Sequence, residues 1–188
     1  MLQRLKRLLR RPLAVPALAP AAASPNDAAI ADNATLRDAH LSGWFRHESG
    51  ELFEGFPINA EDTVLDIGCG DGPFAQFCAE RGAEVIIADI DADKIAALAV
   101  RLRQTSARAV TPLVTDANPI PLPDGRANKI IAMEVLEHVE DPAQFMRELV
   151  RVAKPGAQFL LTVPDPLGES VQKKLAPAAY FEHPNHIR

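Results

Sequence analysis

The pattern of apolar and polar positions from residue 63 onward alternates between two kinds of segment. Short apolar runs rich in β-branched residues predict buried strands over residues 63–68, 83–90, 110–117, 128–134 and 157–165. Amphipathic stretches between them predict helices over residues 73–81, 91–104 and 141–153. Strands that alternate with helices of this length predict a parallel sheet covered on both faces.

Residues at the ends of these segments favour particular boundaries. Asp91 and Asp141 are good helix N-caps, and Pro142 suits the first helical position after Asp141. The "KPG" at 154–156 predicts the end of the last helix. Pro112 predicts either that its strand lies at a sheet edge or that the proline is among the first residues of the strand, because proline donates no hydrogen bond to a neighbouring strand.

The segment at residues 40–56, "HLSGWFRHESGELFEGF", leaves two predictions open. It forms either a helical lid whose Trp44 and Phe45 face a bound cofactor, or a segment whose aromatic rings pack against the sheet. Residues 1–27 are basic and then rich in proline and alanine, which predicts an N-terminal segment and linker. We therefore expect the folded domain to span residues 28–188.

Composition and charge narrow the class of protein. The 188 residues are 47% hydrophobic, which predicts a globular domain with a sizeable core. The net charge is −5 although five basic residues lie within the first eleven, so the remainder carries −10. An acidic body argues against nucleic-acid binding. The basic start of the chain is either a membrane-surface or targeting segment, which would give peripheral membrane contact, or a solvated terminus.

Cellular location is indicated by two further features of the sequence. No apolar run approaches the roughly 20 residues that span a bilayer. The two cysteines, Cys69 and Cys78, lack the number and spacing of a disulfide framework or a zinc site. Both features are compatible with a reducing cytoplasm, and we expect a cytoplasmic protein.

The stretch "VLDIGCGDG" at residues 64–72 holds the first candidate chemistry. Gly68, Gly70 and Gly72 permit a tight turn between a strand and a helix, where parallel sheets bind ligands. Their GxGxG spacing differs from the GxGxxG of dinucleotide sites, and Asp66 and Asp71 flank them. Carboxylates would repel a pyrophosphate, so the turn favours a ligand that carries positive charge.

S-adenosylmethionine is a ligand of that kind, because it carries a sulfonium, an ammonium and a neutral adenosine. Asp89 lies 19 residues after Gly70, where the second strand should end, and a carboxylate there can accept both ribose hydroxyls. Dinucleotide enzymes share this spacing, so the acid that precedes the glycines is what favours the S-adenosylmethionine interpretation.

The residues from about 63 to 164 resemble a class I S-adenosylmethionine-dependent methyltransferase of the type 11 kind, which includes ubiquinone- and menaquinone-pathway enzymes. The stretches that carry the resemblance are "VLDIGCGDG", "VIIADID", "VTDANPIPLPDGRANKIIAMEVLEHVEDP" and "ELVRVAKPGAQFLLTVP". The resemblance implies a Rossmann-like, doubly wound, mostly parallel sheet. It also implies S-adenosylmethionine as the cofactor.

The resemblance further implies which residues bind that cofactor. Asp66, Gly68 and Gly70 would form the cofactor turn, to which Cys69 contributes backbone. Asp89 would accept hydrogen bonds from the ribose diol.

The remaining implied contacts lie after the second, third and fourth strands. Ile90 would pack on the adenine, and Asp116 would accept from the adenine amino group beside the backbone of Ala117. Met133 and Glu134 would border the methionine part of the cofactor.

Glu134, Glu137 and His138 leave three interpretations open. A helical turn would place all three on one face, where they could bind a divalent metal ion. His138 could instead be the catalytic general base, a common role of histidine. The third interpretation is a loop whose polar groups satisfy backbone amides. We predict no metal ion and name His138 as the catalytic candidate.

The resemblance implies two more strands after the fifth, but few residues follow Pro164 and they predict no strand pair, so we expect a sheet that lacks its last two strands. Either the chain is a fragment, or something else covers the fifth strand. His183 and His186 in this tail either line a substrate pocket or take part in metal binding. We expect methyl transfer to a small-molecule or lipid-like acceptor, first of all O-methylation. The alternatives are a non-catalytic scaffold that binds the cofactor or its product S-adenosylhomocysteine, and a nicotinamide oxidoreductase. The oligomeric state stays open.

Overall fold

A computed structural model describes residues 44–46 and 48–165 of the chain. Its strands are β1 (Glu51–Phe53), β2 (Phe56–Pro57), β3 (Thr63–Ile67), β4 (Glu84–Asp89), β5 (Ala109–Val114), β6 (Ala127–Met133) and β7 (Ala153–Thr162). Its helices are α1 (Pro73–Glu80), α2 (Ala92–Leu102) and α3 (Pro142–Val152), with a 3-10 turn at Leu136–His138.

Five strands form one parallel sheet in the order β5-β4-β3-β6-β7, and β1 and β2 form a separate antiparallel pair. The chain first moves outward from β3 to β5 and then returns to place β6 on the other side of β3. The expected doubly wound, mostly parallel sheet is therefore confirmed. Ligands of such sheets bind where this reversal opens a crevice at the carboxyl ends of the strands, which here is between β3 and β6.

The central strands are apolar because helices cover both faces of the sheet. All five residues of β3 are buried, as are the four inner residues of β4. Helix α2 contributes one buried stripe at Ile95, Leu98, Ala99 and Leu102, the spacing of a helix that packs one face against a sheet. The packed core holds the strand ends in fixed positions, and the site is built on those ends.

The predicted helix caps and the edge strand are confirmed. The Asp91 carboxylate accepts from the backbone N–H groups of Asp93 and Lys94 at 3.0 and 3.1 Å. Asp141 caps α3 by accepting from the N–H of Gln144 at 2.9 Å. Pro112 lies in β5, which is the outermost strand beside β4.

The predicted end of α3 is confirmed to within one residue, because the helix ends at Val152, just before "KPG". The predicted start of the last strand at residue 157 was wrong. β7 begins at Ala153, so "KPG" lies within the strand span. Ala153 pairs with Ala127, but the next pair is Gln158 with Lys129, so the intervening residues bulge out of register. Gly156 permits this bulge because it adopts a positive φ of 80°.

The helical lid predicted over residues 40–56 was also wrong within the described residues. β1 and β2 form a hairpin there, and Arg46 makes an antiparallel bridge to Glu51. Gly50 and Gly55 both adopt a positive φ, which suits turns and interrupts a helix.

The aromatic rings of this segment pack in the core, as the second of the two open predictions held, but their ring contacts are with α1 and β1. Phe45 is buried, with its ring centroid 5.7 Å from that of Phe74 and 5.6 Å from that of Phe77. Trp44 lies 4.5 Å from Phe53 and 5.5 Å from Phe74 between ring centroids. These rings extend the core of the domain.

Several predictions concern residues outside the described part of the chain. They include the basic N-terminal segment, the linker and domain boundary near residues 27 and 28, and the tail with His183 and His186. Among the residues that the structure describes, no helix is long and apolar enough to cross a membrane.

The start of β3 is joined to β6 by side-chain hydrogen bonds at the end of the sheet remote from the crevice. The Asn128 side chain accepts from the N–H of Thr63 at 2.7 Å and donates to the buried Asp62 carboxylate, also at 2.7 Å. One amide side chain thus satisfies a backbone donor and a buried carboxylate.

We expect Asn128→Ala to lower the free energy of unfolding by about 1–3 kcal/mol, because it leaves the Thr63 N–H and one Asp62 oxygen without their partner. Urea denaturation followed by circular dichroism measures this change. Asn59→Ala, at an exposed position, is the control and should stay within about 0.5 kcal/mol of the parent. Equal stability of the two variants would contradict the prediction.

Candidate cofactor-binding site

The glycine turn after β3 is held against the end of β4. The N–H groups of Gly68 and Cys69 both donate to the carbonyl of Ala88, at 2.8 and 3.2 Å. Gly72 donates to the carbonyl of Cys69 at 2.8 Å, which closes the turn. Gly68, Gly70 and Gly72 adopt φ values of 68°, 50° and 70°, a region that favours glycine.

The three glycines serve two different purposes. A Cβ on Gly68 would lie 2.5 Å from Val135 Cγ2, and one on Gly72 would lie 2.3 Å from Leu98 Cδ2. Both positions therefore need glycine for packing within the protein. A Cβ on Gly70 would meet no described atom within 4 Å. The open space beside Gly70 allows a ligand to approach the backbone there.

Asp89 at the end of β4 is fixed by two backbone donors. Its Oδ2 accepts from the N–H of Gly70 at 2.9 Å, and its Oδ1 accepts from the N–H of Asp91 at 3.0 Å. A carboxylate offers about four acceptor positions, so each oxygen retains one for a further donor. The arrangement suits two adjacent hydroxyl groups.

The end of β5 brings a second carboxylate to the same crevice. Thr115 donates its N–H to the carbonyl of Asp89 at 2.9 Å, and its hydroxyl accepts from the N–H of Ala117 at 3.0 Å. Asp116 is exposed, and its Oδ1 accepts from the N–H of Asn118 at 3.0 Å. Ala117 is buried with a positive φ of 65°, so a tight turn follows Asp116.

These groups border a cavity of about 620 Å³ at the carboxyl ends of the strands. It is lined by Ile67, Gly68, Asp89, Ile90, Thr115, Asp116, Ala117, Asn118, Glu134, Val135, His138, Val139, Glu140, Asp141, Gln144 and Phe145. Five of these sixteen residues are acidic, and none is lysine or arginine. The cavity is of the size that binds small molecules and is electrostatically suited to a cation.

The structure brings most of the predicted site residues together. Those that line the cavity are Gly68, Asp89, Ile90, Asp116, Ala117, Glu134 and His138. Ile90 is 74% exposed, an unusual value for so apolar a side chain, and its exposure is into this crevice. An exposed apolar side chain beside two carboxylates suits a flat aromatic ligand.

Four predicted residues lie outside the lining: Asp66, Cys69, Gly70 and Met133. Gly70 is joined to the cavity through its hydrogen bond to Asp89. Asp66 and Cys69 are buried, and Met133 is half-buried at the end of β6. Asp71, the second acid that flanks the glycines, is exposed and does not line the cavity. Its carbonyl instead accepts from Arg101.

Glu134, Glu137 and His138 do not share one helical face. Glu134 precedes the 3-10 turn with a positive φ of 54°, and its N–H donates to the carbonyl of Thr162. Glu137 is buried, whereas Glu134 and His138 are exposed at the cavity. A single 3-10 turn is too short to align three residues spaced as on an α-helix. Within residues 44–46 and 48–165, no group of three or more His, Cys, Asp or Glu residues is arranged to hold a metal ion.

The cavity includes residues that the sequence patterns did not identify. The start of α3 supplies Gln144 and Phe145, and the loop before it supplies Val139 and Glu140. A signal was available in the sequence, because a helix that returns from the carboxyl end of a strand starts at the crevice. Thr115 also lines the cavity. It is the polar residue directly before Asp116 in the predicted third strand, so its position near the strand end was a signal for the crevice.

Asp66 is buried beneath the glycine turn and is 1% exposed. Its Oδ2 has no hydrogen-bond partner among the described residues. Burial raises the pKa of this carboxyl to about 7; the N–H of Ala75 opposes the rise, and the charge of Asp89 adds to it. Asp66 therefore titrates near neutral pH.

The two cysteines are unsuited to nucleophilic chemistry. Burial raises the pKa of the Cys69 thiol, and the charges of Asp66 and Asp89 raise it further. Burial likewise raises the pKa of Cys78, in the core side of α1. The reactive form of cysteine is the thiolate, so both thiols are inert packing groups.

Comparison with known proteins identifies the family. The family described as "Methyltransferase domain" matches residues 30–188, which is most of the chain. The chain belongs to this family, and the resemblance to class I S-adenosylmethionine-dependent methyltransferases is confirmed.

Individual relatives agree with this assignment. A probable S-adenosylmethionine-dependent methyltransferase of Mycolicibacterium smegmatis is 33% identical, over 65% of this chain and 46% of its own length. A ubiquinone biosynthesis O-methyltransferase of Pseudomonas paraeruginosa is 32% identical, over 55% of this chain and 44% of its own. The chain thus spans about half the length of these curated relatives or less.

A solved structure supports the fold. The crystal structure of a SAM-dependent methyltransferase from Aquifex aeolicus aligns with a TM-score of 0.57 at 22% identity, over 78% of this chain and 81% of that one. The likeness confirms the Rossmann-like architecture of the sheet and its helices.

The raised pKa of Asp66 predicts how stability depends on pH. Without ligand, the folded chain holds a proton on Asp66 up to about pH 7, whereas the unfolded chain releases it near the ordinary value of 3.8. The free energy of unfolding should therefore fall as pH rises between these values, by about 4 kcal/mol at most from this group. Asp66→Asn should remove that part of the fall, and it should be more stable than the parent at pH 8.

Urea denaturation at pH 5 and pH 8 measures the effect, and Asp71→Asn at an exposed position serves as control. The control should keep the pH dependence of the parent. If Asp66→Asn and Asp71→Asn lose stability equally between pH 5 and pH 8, Asp66 is not the group responsible.

Proposed function

We propose that this protein transfers a methyl group from S-adenosylmethionine to a hydroxyl oxygen of a small-molecule or lipid-like acceptor. The observation that carries the proposal is the charge of the cavity, which has five carboxylates and no lysine or arginine in its lining. A cation is stabilised in such a cavity, and membership of the methyltransferase family is consistent with a sulfonium ligand.

The residues present fit this cofactor. Asp89, held by Gly70 and Asp91, has acceptor positions for a ribose diol. Ile90 offers an exposed apolar surface for the adenine, and Asp116 offers a carboxylate for its amino group. The space beside Gly70 leaves the backbone accessible. The cofactor itself would supply an activated methyl group, so the protein's tasks are binding, orientation and removal of a proton.

The same features disfavour a nicotinamide dinucleotide. A pyrophosphate carries two negative charges and is usually held at a helix N-terminus. In this chain it would face Asp89 and Asp116, with no basic residue in the lining to compensate. The carboxylate of Asp66 beneath the turn would add to the repulsion when ionised.

His138 is our candidate for the general base. It lies at the cavity, and its side chain is 40% exposed. Its Nε2 lies 3.8 Å from Oε1 of the buried Glu137. A histidine so placed can take the proton of an acceptor hydroxyl as its oxygen bonds to the methyl group.

The acceptor class is inferred from the walls near His138 and from the relatives. Val135, Val139 and Phe145 add apolar surface to a wall that also carries acidic residues, which suits an acceptor with both an apolar part and a hydroxyl group. The ubiquinone biosynthesis relative is named for O-methylation, and we extend that reaction type to this chain as part of the proposal.

Asp89→Ala should weaken the binding of S-adenosylhomocysteine by about 10- to 100-fold, because hydrogen bonds to a charged group contribute about 1.5–3 kcal/mol. Isothermal titration calorimetry measures the affinity. Asp91→Ala is a matched control, because it removes a carboxylate that lies outside the cavity lining. This carboxylate caps α2, so its loss should cost about 1 kcal/mol of stability. An Asp89→Ala protein that folds and binds with parental affinity would exclude Asp89 from the site.

His138→Gln should reduce the rate of methyl transfer by about 10²- to 10⁴-fold while leaving S-adenosylhomocysteine affinity nearly unchanged. Formation of S-adenosylhomocysteine is measured with a panel of phenol, catechol and prenylated quinol acceptors. A variant as fast as the parent would show that His138 is not the base. A parent that binds S-adenosylhomocysteine tightly and methylates no acceptor would support the non-catalytic binding protein instead.

A further inference from the structure

Helix α3 carries a charged pair in which Glu148 lies on the buried face of the helix and Arg151 is half-buried. Glu148 is only 7% exposed and shares this face with Phe145, Leu149 and Val152. Arg151 is its partner, donating through Nε to Oε1 at 2.9 Å and through Nη2 to Oε2 at 2.7 Å. Buried ion pairs are often no more stabilising than apolar residues of similar volume, so a reason other than stability must be sought.

The pair also makes hydrogen bonds to the loop that follows β5. Glu148 Oε2 accepts from the N–H of Ile120 at 2.9 Å, and Arg151 Nη2 donates to the carbonyl of Ile120 at 2.8 Å. Arg151 Nη1 donates to the carbonyl of Leu122 at 2.7 Å and to Asp124 Oδ1 at 2.8 Å. Both backbone polar groups of Ile120 are thus held by side chains of α3.

This loop begins with the turn at Asp116 and Ala117, which lines the cavity. Only Asn118 and Pro119 separate Ala117 from Ile120, so the chain between the turn and its anchor is short and little slack remains. On its other side the turn is anchored by the bond from the Thr115 N–H to the Asp89 carbonyl. The position of the Asp116 carboxylate therefore depends on an anchor at each end.

We infer that Glu148 and Arg151 are positioning residues that set the Asp116 turn and thereby the recognition of the adenine amino group. This inference rests on the proposed function, since it assumes that the cavity binds an S-adenosyl compound. The pair does not touch the cavity and acts through the Ile120 backbone. Asp89 is carried by β4 and is bonded to Gly70 and Asp91, so ribose recognition should be independent of the pair.

The test compares three ligands by isothermal titration calorimetry: S-adenosylhomocysteine, S-inosylhomocysteine and the 2′-deoxy form of S-adenosylhomocysteine. S-inosylhomocysteine has a carbonyl oxygen where adenine has its amino group, so the parent protein should prefer the adenine compound by about 10-fold or more. The double variant Glu148→Leu with Arg151→Met keeps side-chain volume and leaves no buried charge. Its preference for adenine should fall to about 3-fold or less, while its preference for the ribose diol stays parental.

Arg108→Met is the matched control. Arg108 donates to the carbonyls of Ala60 and Asp62 at 2.9 and 3.3 Å, so it also binds backbone with a guanidinium, but at the opposite end of the sheet. This variant should keep the adenine preference even if it is less stable. Arg151→Lys, which loses the two-pronged geometry but keeps the charge, should show an intermediate preference.

The possible results separate the two proposals. Loss of adenine preference in the double variant alone supports the inference. Unchanged preference in a folded double variant overturns it, whether or not overall affinity falls, because a merely structural role would weaken all three ligands alike. A parent that binds none of the three compounds overturns the proposed function together with this inference.

Discussion

The hydrogen bond from the Gly70 N–H to the Asp89 carboxylate is the interaction on which the arrangement of the site depends. It joins the glycine turn after β3 to the end of β4, and the Thr115 N–H extends the link from the Asp89 carbonyl to β5. Three strand ends are thus connected in series. Parallel packing brings these ends together, and the hydrogen bonds decide which polar groups face the crevice.

Charge is distributed in two layers around this link. Asp66 lies beneath the turn, where burial makes its ionised form costly. Asp89 and Asp116 lie above it, at the cavity. A cationic ligand would stabilise the ionised carboxylates of both layers. When no ligand is bound, a proton on Asp66 removes the buried charge of the inner layer. The inner carboxyl and the ligand are therefore expected to influence each other through the turn.

Most of the sheet could be predicted from the sequence because its signals are local. β-branched runs marked the strands, and Asp91 and Asp141 marked the helix starts with contacts two or three residues away. The hairpin at residues 51–57 was missed because its strands are only three and two residues long, too short to show a period. The bulge in β7 was also missed, because it depends on how β7 pairs with β6, and the local sequence does not show that pairing.

The candidate site was predictable where a residue lies at the end of a strand or just beyond it, as Asp89 and Asp116 do. The site was not predictable where the fold brings together residues that are distant in the sequence. Gln144 and Phe145 reach the cavity because α3 starts beside it, and Glu148 and Arg151 bind a loop about 30 residues earlier in the chain, a relation that no local pattern encodes.

The contrast among the three glycines has a consequence for how the domain would respond to random mutagenesis. Substitutions at Gly68 and Gly72 collide with Val135 and Leu98, so a screen that reports only soluble expression should reject them. The vacant volume beside Gly70 presents no such collision, and its backbone strain alone costs about 1–2 kcal/mol. Expression screens should thus retain some Gly70 variants, and a separate screen for capture of an S-adenosyl compound would test whether the proposed ligand needs this glycine.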